Sequence, residues 1–203
     1  RSATITLWLP VLSGCNQEQG SPGGGLSTKT SRTDESGEGP RFRDRTKESG
    51  LEFIAICGDS QKDYVLEVNG SGVALLDFDL DGDLDVFLVN GSRLPKPYGS
   101  GPGASPPGDA LFENLGGLRF VDTSKRTRVA IHSMETLGFG TNAFDYDRDG
   151  WLDLIVANGH VFGPEHQPSA LRPQLLRNTG QGRFDDVSDH AGRYFEELWL
   201  GRG

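Results

Sequence analysis

Residues 77–85 read DFDLDGDLD, five aspartates in nine positions, and residues 145–153 repeat the pattern as DYDRDGWLD. Like charges packed this closely disfavour one another's ionised form unless a cation relieves them. The spacing D-x-D-x-D-G-x-x-D supplies the means. Side chains at positions 1, 3 and 5 converge as the loop curls, and glycine at position 6 allows the sharp bend. A backbone carbonyl at position 7 faces inward, and the aspartate at position 9 completes an all-oxygen shell. Such a shell suits Ca²⁺, a hard cation that takes ~6–8 oxygens at about 2.3–2.6 Å. The candidate ligands of the first loop are Asp77, Asp79, Asp81, the Asp83 carbonyl and Asp85. Those of the second are Asp145, Asp147, Asp149, the Trp151 carbonyl and Asp153.

Three other readings compete. An EF-hand shares the opening D-x-D-x-D-G but needs a bidentate glutamate at position 12 between flanking helices. Leu88 and Val156 occupy that position here, and strand-like runs flank both loops. A solvated acidic turn would explain one loop, and explains two copies at matched positions less well. Mg²⁺ demands strict octahedral geometry and keeps its waters, which a curled multidentate loop does not favour.

Outward from the loops the sequence repeats itself. Residues 72–91, GVALLDFDLDGDLDVFLVNG, match 140–159, GTNAFDYDRDGWLDLIVANG, at an offset of 68. Residues 111–124, LFENLGGLRFVDTS, match 175–188, LLRNTGQGRFDDVS, at an offset of 64. The closing element F-x-D-x-[ST] occurs a third time at residues 42–46. Each full unit reads as four short strands, in the first at about 73–78, 84–89, 110–114 and 119–122. Asn90-Gly91 and Gly116-Gly117 are expected to form tight turns. The runs ALLDF, DVFLV and DLIVA are apolar on both faces, as in strands enclosed between neighbouring sheets. One four-stranded sheet per unit of ~60–70 residues, stacked on its copies, is the pattern of a β-propeller blade. The expected fold is therefore all-β, a partial β-propeller over residues 41–203 with two full blades and a preceding closing strand. A ring needs at least ~4 blades, so further blades are expected in chain beyond these residues.

Composition agrees. The 203 residues include 29 glycines and 11 prolines, which suit short strands and turns. The net charge of −9 argues against nucleic acid or an anionic membrane surface as partner. Nine of the aspartates lie in the two loops, so the acidity is concentrated where a cation would use it. No H-E-x-x-H, G-x-S-x-G or phosphate-cradling glycine motif is present. His132 and His160 are expected on loops, and Cys57, in FIAICG, in the core.

Residues 1–15 read as a lipoprotein-type signal peptide. Arg1 precedes an apolar run too short to span a bilayer, and Leu12-Ser13-Gly14-Cys15 resembles a lipobox, which makes Cys15 the expected lipidation site. Residues 16–40 are Gly, Ser, Thr, Glu and Pro with almost nothing apolar, a flexible tether. An extracytoplasmic, lipid-anchored or secreted bacterial envelope protein follows from these two segments.

The doubled loop with its F-x-D-x-[ST] closing strand resembles FG-GAP/VCBS-type repeats. The longer pattern, GFGTNAFDYDRDGWLDLIVANGH with LLRNTGQGRFDDVSDHAG, is similar to the UnbV/ASPIC group that includes cartilage acidic protein. That resemblance implies a calcium-bearing β-propeller, usually seven-bladed, like the integrin α-chain head. The expected role is non-catalytic binding or adhesion toward a protein or carbohydrate, through the long Gly- and Pro-rich segments 92–110 and 160–175. The alternative is a blade fragment of a calcium-dependent propeller enzyme, cyclase- or lyase-like.

Overall fold

The computed structural model describes residues 43–55, 71–91, 108–134, 136–159, 170–199 and 201. Cys15, the tether at 16–40, Cys57, His160, His166 and the segments 92–107 and 160–169 lie outside the described residues.

Each repeat folds into a four-stranded antiparallel meander. The first comprises β1 (Val73–Leu76), β2 (Asp85–Leu88), β3 (Ala110–Asn114) and β4 (Phe120–Asp122), in that spatial order. The second comprises β5 (Gly138–Phe144), β6 (Asp153–Asn158), β7 (Gln174–Asn178) and β8 (Phe184–Asp186), again in order. Among the described residues short helices accompany them: α1 (Thr46–Ser49), α2 (Val129–His132) and α3 (Arg193–Glu196), with a 3₁₀ turn at Ser188–His190. Among the described residues no helix is long and apolar enough to cross a membrane.

The fold is thus all-β, two four-stranded sheets of like topology. Leu76 pairs with Asp85 and Phe144 with Asp153, so each acidic loop is the connection of a hairpin. β1 is shorter than the apolar run suggests because the Phe78 amide turns to the Asp85 carboxylate instead of a strand partner. The tight turn at Gly116-Gly117 forms, with both glycines at positive φ. At Asn90-Gly91 the backbone amide of Asn90 donates to Asp109 Oδ1 at 2.7 Å, and the chain that would complete the expected turn lies outside the described residues.

Two apolar layers hold the structure. The first lies between the sheets and joins Leu76, Phe78 and Phe87 of the first repeat to Leu154, Leu176 and Phe184 of the second. Each of these side chains is fully buried, worth on the order of 1.5–3 kcal/mol apiece. At the seam Gly138 has no room for a side chain, since a Cβ there would lie 2.2 Å from Val89 Cγ1. The second layer is the opposite face of the first sheet, where Val86, Leu88, Phe112 and Phe120 pack under Leu51.

Leu51 occupies its place for a reason that the repeats reveal. In F-x-D-x-[ST], the aspartate of the second and third copies accepts the backbone amide two residues on: Ser124 from Asp122 and Ser188 from Asp186. Asp44 accepts the Thr46 amide in the same way at 3.0 Å. A helical turn follows each time. The residue seven beyond the aspartate is Leu51 after Asp44 and Val129 after Asp122, and each plugs the layer on the next sheet. The described part of residues 42–46 has no strand, so it is the connection after a closing strand that recurs here.

The far face of the second sheet is different. Leu76 and Phe78 are 0% and 1% exposed, while their counterparts Phe144 and Tyr146 are 40% and 36% exposed. Gly201 lies against the Asn158 carbonyl, as Gly138 lies against that of Asn90.

Candidate metal centres

The acidic loops take their shape from left-handed backbone. In both, position 4 (Leu80, φ 61°; Arg148, φ 64°) and position 6 (Gly82, φ 94°; Gly150, φ 91°) have positive φ. Only glycine adopts this region freely, which explains position 6. Within the first loop Asp77 accepts the amides of Asp81 and Gly82, both at 3.1 Å. Asp81 Oδ1 accepts the Asp83 amide at 2.8 Å. The second loop repeats these bonds, with Asp145 accepting from Asp149 and Gly150 and Asp149 accepting from Trp151. The peptides at position 7, Asp83 and Trp151, are held by the aspartate two residues before.

Position 9 anchors the loop to the sheet. Asp85 is buried, and its two oxygens accept the amides of Phe78 at 2.9 Å and Asn114 at 2.8 Å. Asp153 does the same for Tyr146 and Asn178. One carboxylate therefore joins the start of the loop to the third strand. Burial pushes the Asp85 carboxyl up to about 6, against the pull of these amides. Burial pushes Asp153 and Asp79 upward too, Asp79 with the further repulsion of Asp81.

Among the described residues, two groups of carboxylates bring oxygens within 4.8 Å of one another: Asp77, Asp79 and Asp85 in the first loop, Asp145, Asp147 and Asp149 in the second. Asp81 and Asp153 stand outside these groups, although both belong to the expected ligand sets. The donor chemistry fits a hard divalent cation: only oxygens, several of them anionic, converging from one curled loop.

Sequence reasoning overlooked the residues that make the loops unequal. Arg177 on β7 donates Nε to Asp147 Oδ2 at 2.6 Å and Nη2 to Asp149 Oδ2 at 2.9 Å. These bonds, first that to Asp147, raise its pKa further above the ordinary value. The same position of β3 holds Glu113, which pairs with Arg126. The aligned blocks LFENLGG and LLRNTGQ carry that exchange openly, as glutamate against arginine. His132 is not on a loop but closes α2, its Nε2 lying 3.1 Å from the Phe184 carbonyl. His190 is exposed in the 3₁₀ turn.

Comparison with protein families finds an FG-GAP-like repeat over residues 77–156, which starts at the first acidic loop and spans the second. A search of curated proteins returned no match to the chain. The chain thus carries an FG-GAP-like repeat, two four-stranded sheets of like topology and two possible cation sites.

Proposed function

We propose that the chain is a calcium-binding β-propeller protein of the UnbV/ASPIC (cartilage acidic protein-like) group. In this reading it acts without catalysis, in binding a protein or glycan at the bacterial cell envelope. The observation that carries the calcium reading is duplication: three converging carboxylates recur at the same hairpin of two sheets. Asp77, Asp79, Asp81, the Asp83 carbonyl and Asp85 would hold one ion. Asp145, Asp147, Asp149, the Trp151 carbonyl and Asp153 would hold the other. The ion's role is to neutralise the loop and tie the first hairpin of each blade to its third strand through position 9. Further blades are supported by the uncovered apolar face at Phe144 and Tyr146.

In this reading support and recognition lie at opposite ends of the strands. The ends of β2 and β6, and the starts of β3 and β7, lie opposite the acidic loops, and segments 92–107 and 160–169 fall between them in sequence. Ions would stiffen one end while the target meets the other. Residues 1–15 and Cys15 supply the membrane attachment in this reading.

Calorimetric titration with Ca²⁺ tests the proposal. Two sites per chain are expected, and the double variant Asp79→Ala, Asp147→Ala should lose both. Undiminished binding by that variant would refute the assignment.

A further inference from the structure

We propose that Arg177 is a built-in counter-cation of the second acidic loop, which makes that loop the weaker of the two cation sites. The inference rests on the calcium reading above and concerns how the chain's own residues grade the sites.

Arg177 lies on β7 between Leu176 and Asn178, with its side chain 40% exposed. Its guanidinium spans two carboxylates, Asp147 at 2.6 Å and Asp149 at 2.9 Å. Those two make up most of the convergent group, whose third member is Asp145. A divalent cation entering this loop competes with the guanidinium for both carboxylates. Charge-assisted bonds of this length are among the stronger ones in proteins. Arg148 at position 4 adds a second positive charge where the first loop has Leu80.

The first loop presents the reverse arrangement. Its five aspartates are joined, at the strand position equivalent to Arg177, by the carboxylate of Glu113. The ion pair with Arg126 draws on Glu113 and not on the loop. Among the described residues no basic side chain forms an ion pair with the aspartates of this loop. The two loops consequently fill in order, the first at low calcium and the second when calcium is abundant. When calcium is scarce, Arg177 takes the ion's place and keeps the second hairpin closed.

Calorimetry on single-site chains tests this. Asp79→Ala leaves the second loop and Asp147→Ala leaves the first. The first loop should bind Ca²⁺ at least about ten-fold more tightly, as expected for removing a full charge at contact distance. Arg177→Gln should recover about that ten-fold in the Asp79→Ala chain and change nothing in the Asp147→Ala chain. Arg177 is exposed, so its variant should fold, which an unchanged circular dichroism spectrum would verify. Glu113→Arg should weaken the first loop by a similar factor. Equal affinities of the two loops, or no gain from Arg177→Gln, would overturn the inference and leave the calcium reading standing. Absence of any calcium heat in the unmutated chain would overturn both.

Discussion

The side-chain amide of Asn178, at the end of β7, donates to the backbone carbonyl of Phe78 at 2.8 Å across 100 residues of chain. Phe78 is the second residue of the first acidic loop, and its ring lies 6.3 Å from that of Phe184 in the second sheet. The first loop is therefore built into the seam between the repeats. Asn114, the counterpart of Asn178, bonds only within its own sheet through its amide nitrogen among the described residues, to the Leu84 carbonyl at 3.1 Å.

Replacing Asn178 by alanine should accordingly act on both repeats. It leaves a buried carbonyl without its partner, at a cost of ~1–3 kcal/mol. The urea midpoint should fall by the corresponding amount, and calcium affinity at the first loop should fall with it. An effect confined to the second loop would contradict the seam.

Position 9 should dominate the stability of each hairpin. Asp85→Ala strands the buried amides of Phe78 and Asn114, which predicts a loss of ~2–5 kcal/mol. Asp83→Ala removes an exposed side chain and keeps its carbonyl, so stability should stay within about 0.5 kcal/mol. Urea denaturation of the two variants side by side measures the contrast.

Asp109 predicts a pH dependence. It is 2% exposed, its Oδ2 has no hydrogen-bond partner among the described residues, and burial pushes its carboxyl from 3.8 up to about 7. Folded protein thus keeps a proton that the unfolded chain has lost over this interval. The contribution to stability is full below about pH 4 and is lost as pH rises to about 7. Asp85, raised to about 6 in the cation-free protein, adds to the same slope. Asp109→Asn should remove the larger part of it and stabilise the protein at pH 8, as read from melting temperatures across the range.

Gly138→Ala tests the seam by volume. Its Cβ would meet Val89 Cγ1 at 2.2 Å and Val156 Cγ1 at 3.0 Å, one from each sheet. Overpacking of this kind costs ~1–3 kcal/mol. The variant should melt lower, and the further change Val89→Ala should restore part of the loss by opening the space.

Hairpins, strand order and loop shape were legible from residues near one another in sequence. The apolar residues before the Gly116-Gly117 turn placed β3 at 110–114, and the loop spacing placed the turn of each repeat's first hairpin. The D-x-D-x-D-G pattern works through bonds spanning two to five residues, which is why it can be read from the sequence. The register shows where local reading stopped: the strand was expected to run on to Phe78, yet the Phe78 amide is taken by Asp85 and the Asp77 carboxylate by the loop.

Packing, by contrast, sets which equivalent residues end up in unlike surroundings. Leu76 and Phe144 hold the same place in the repeat, but a second sheet covers one and not the other. Glu113 and Arg177 also hold one place, and only the folded loop brings Arg177 to Asp147, 30 residues before it. Periodicity and turn chemistry are local and survive in the sequence. Burial and ion pairing depend on partners brought close by packing, so they appeared only when the two sheets met.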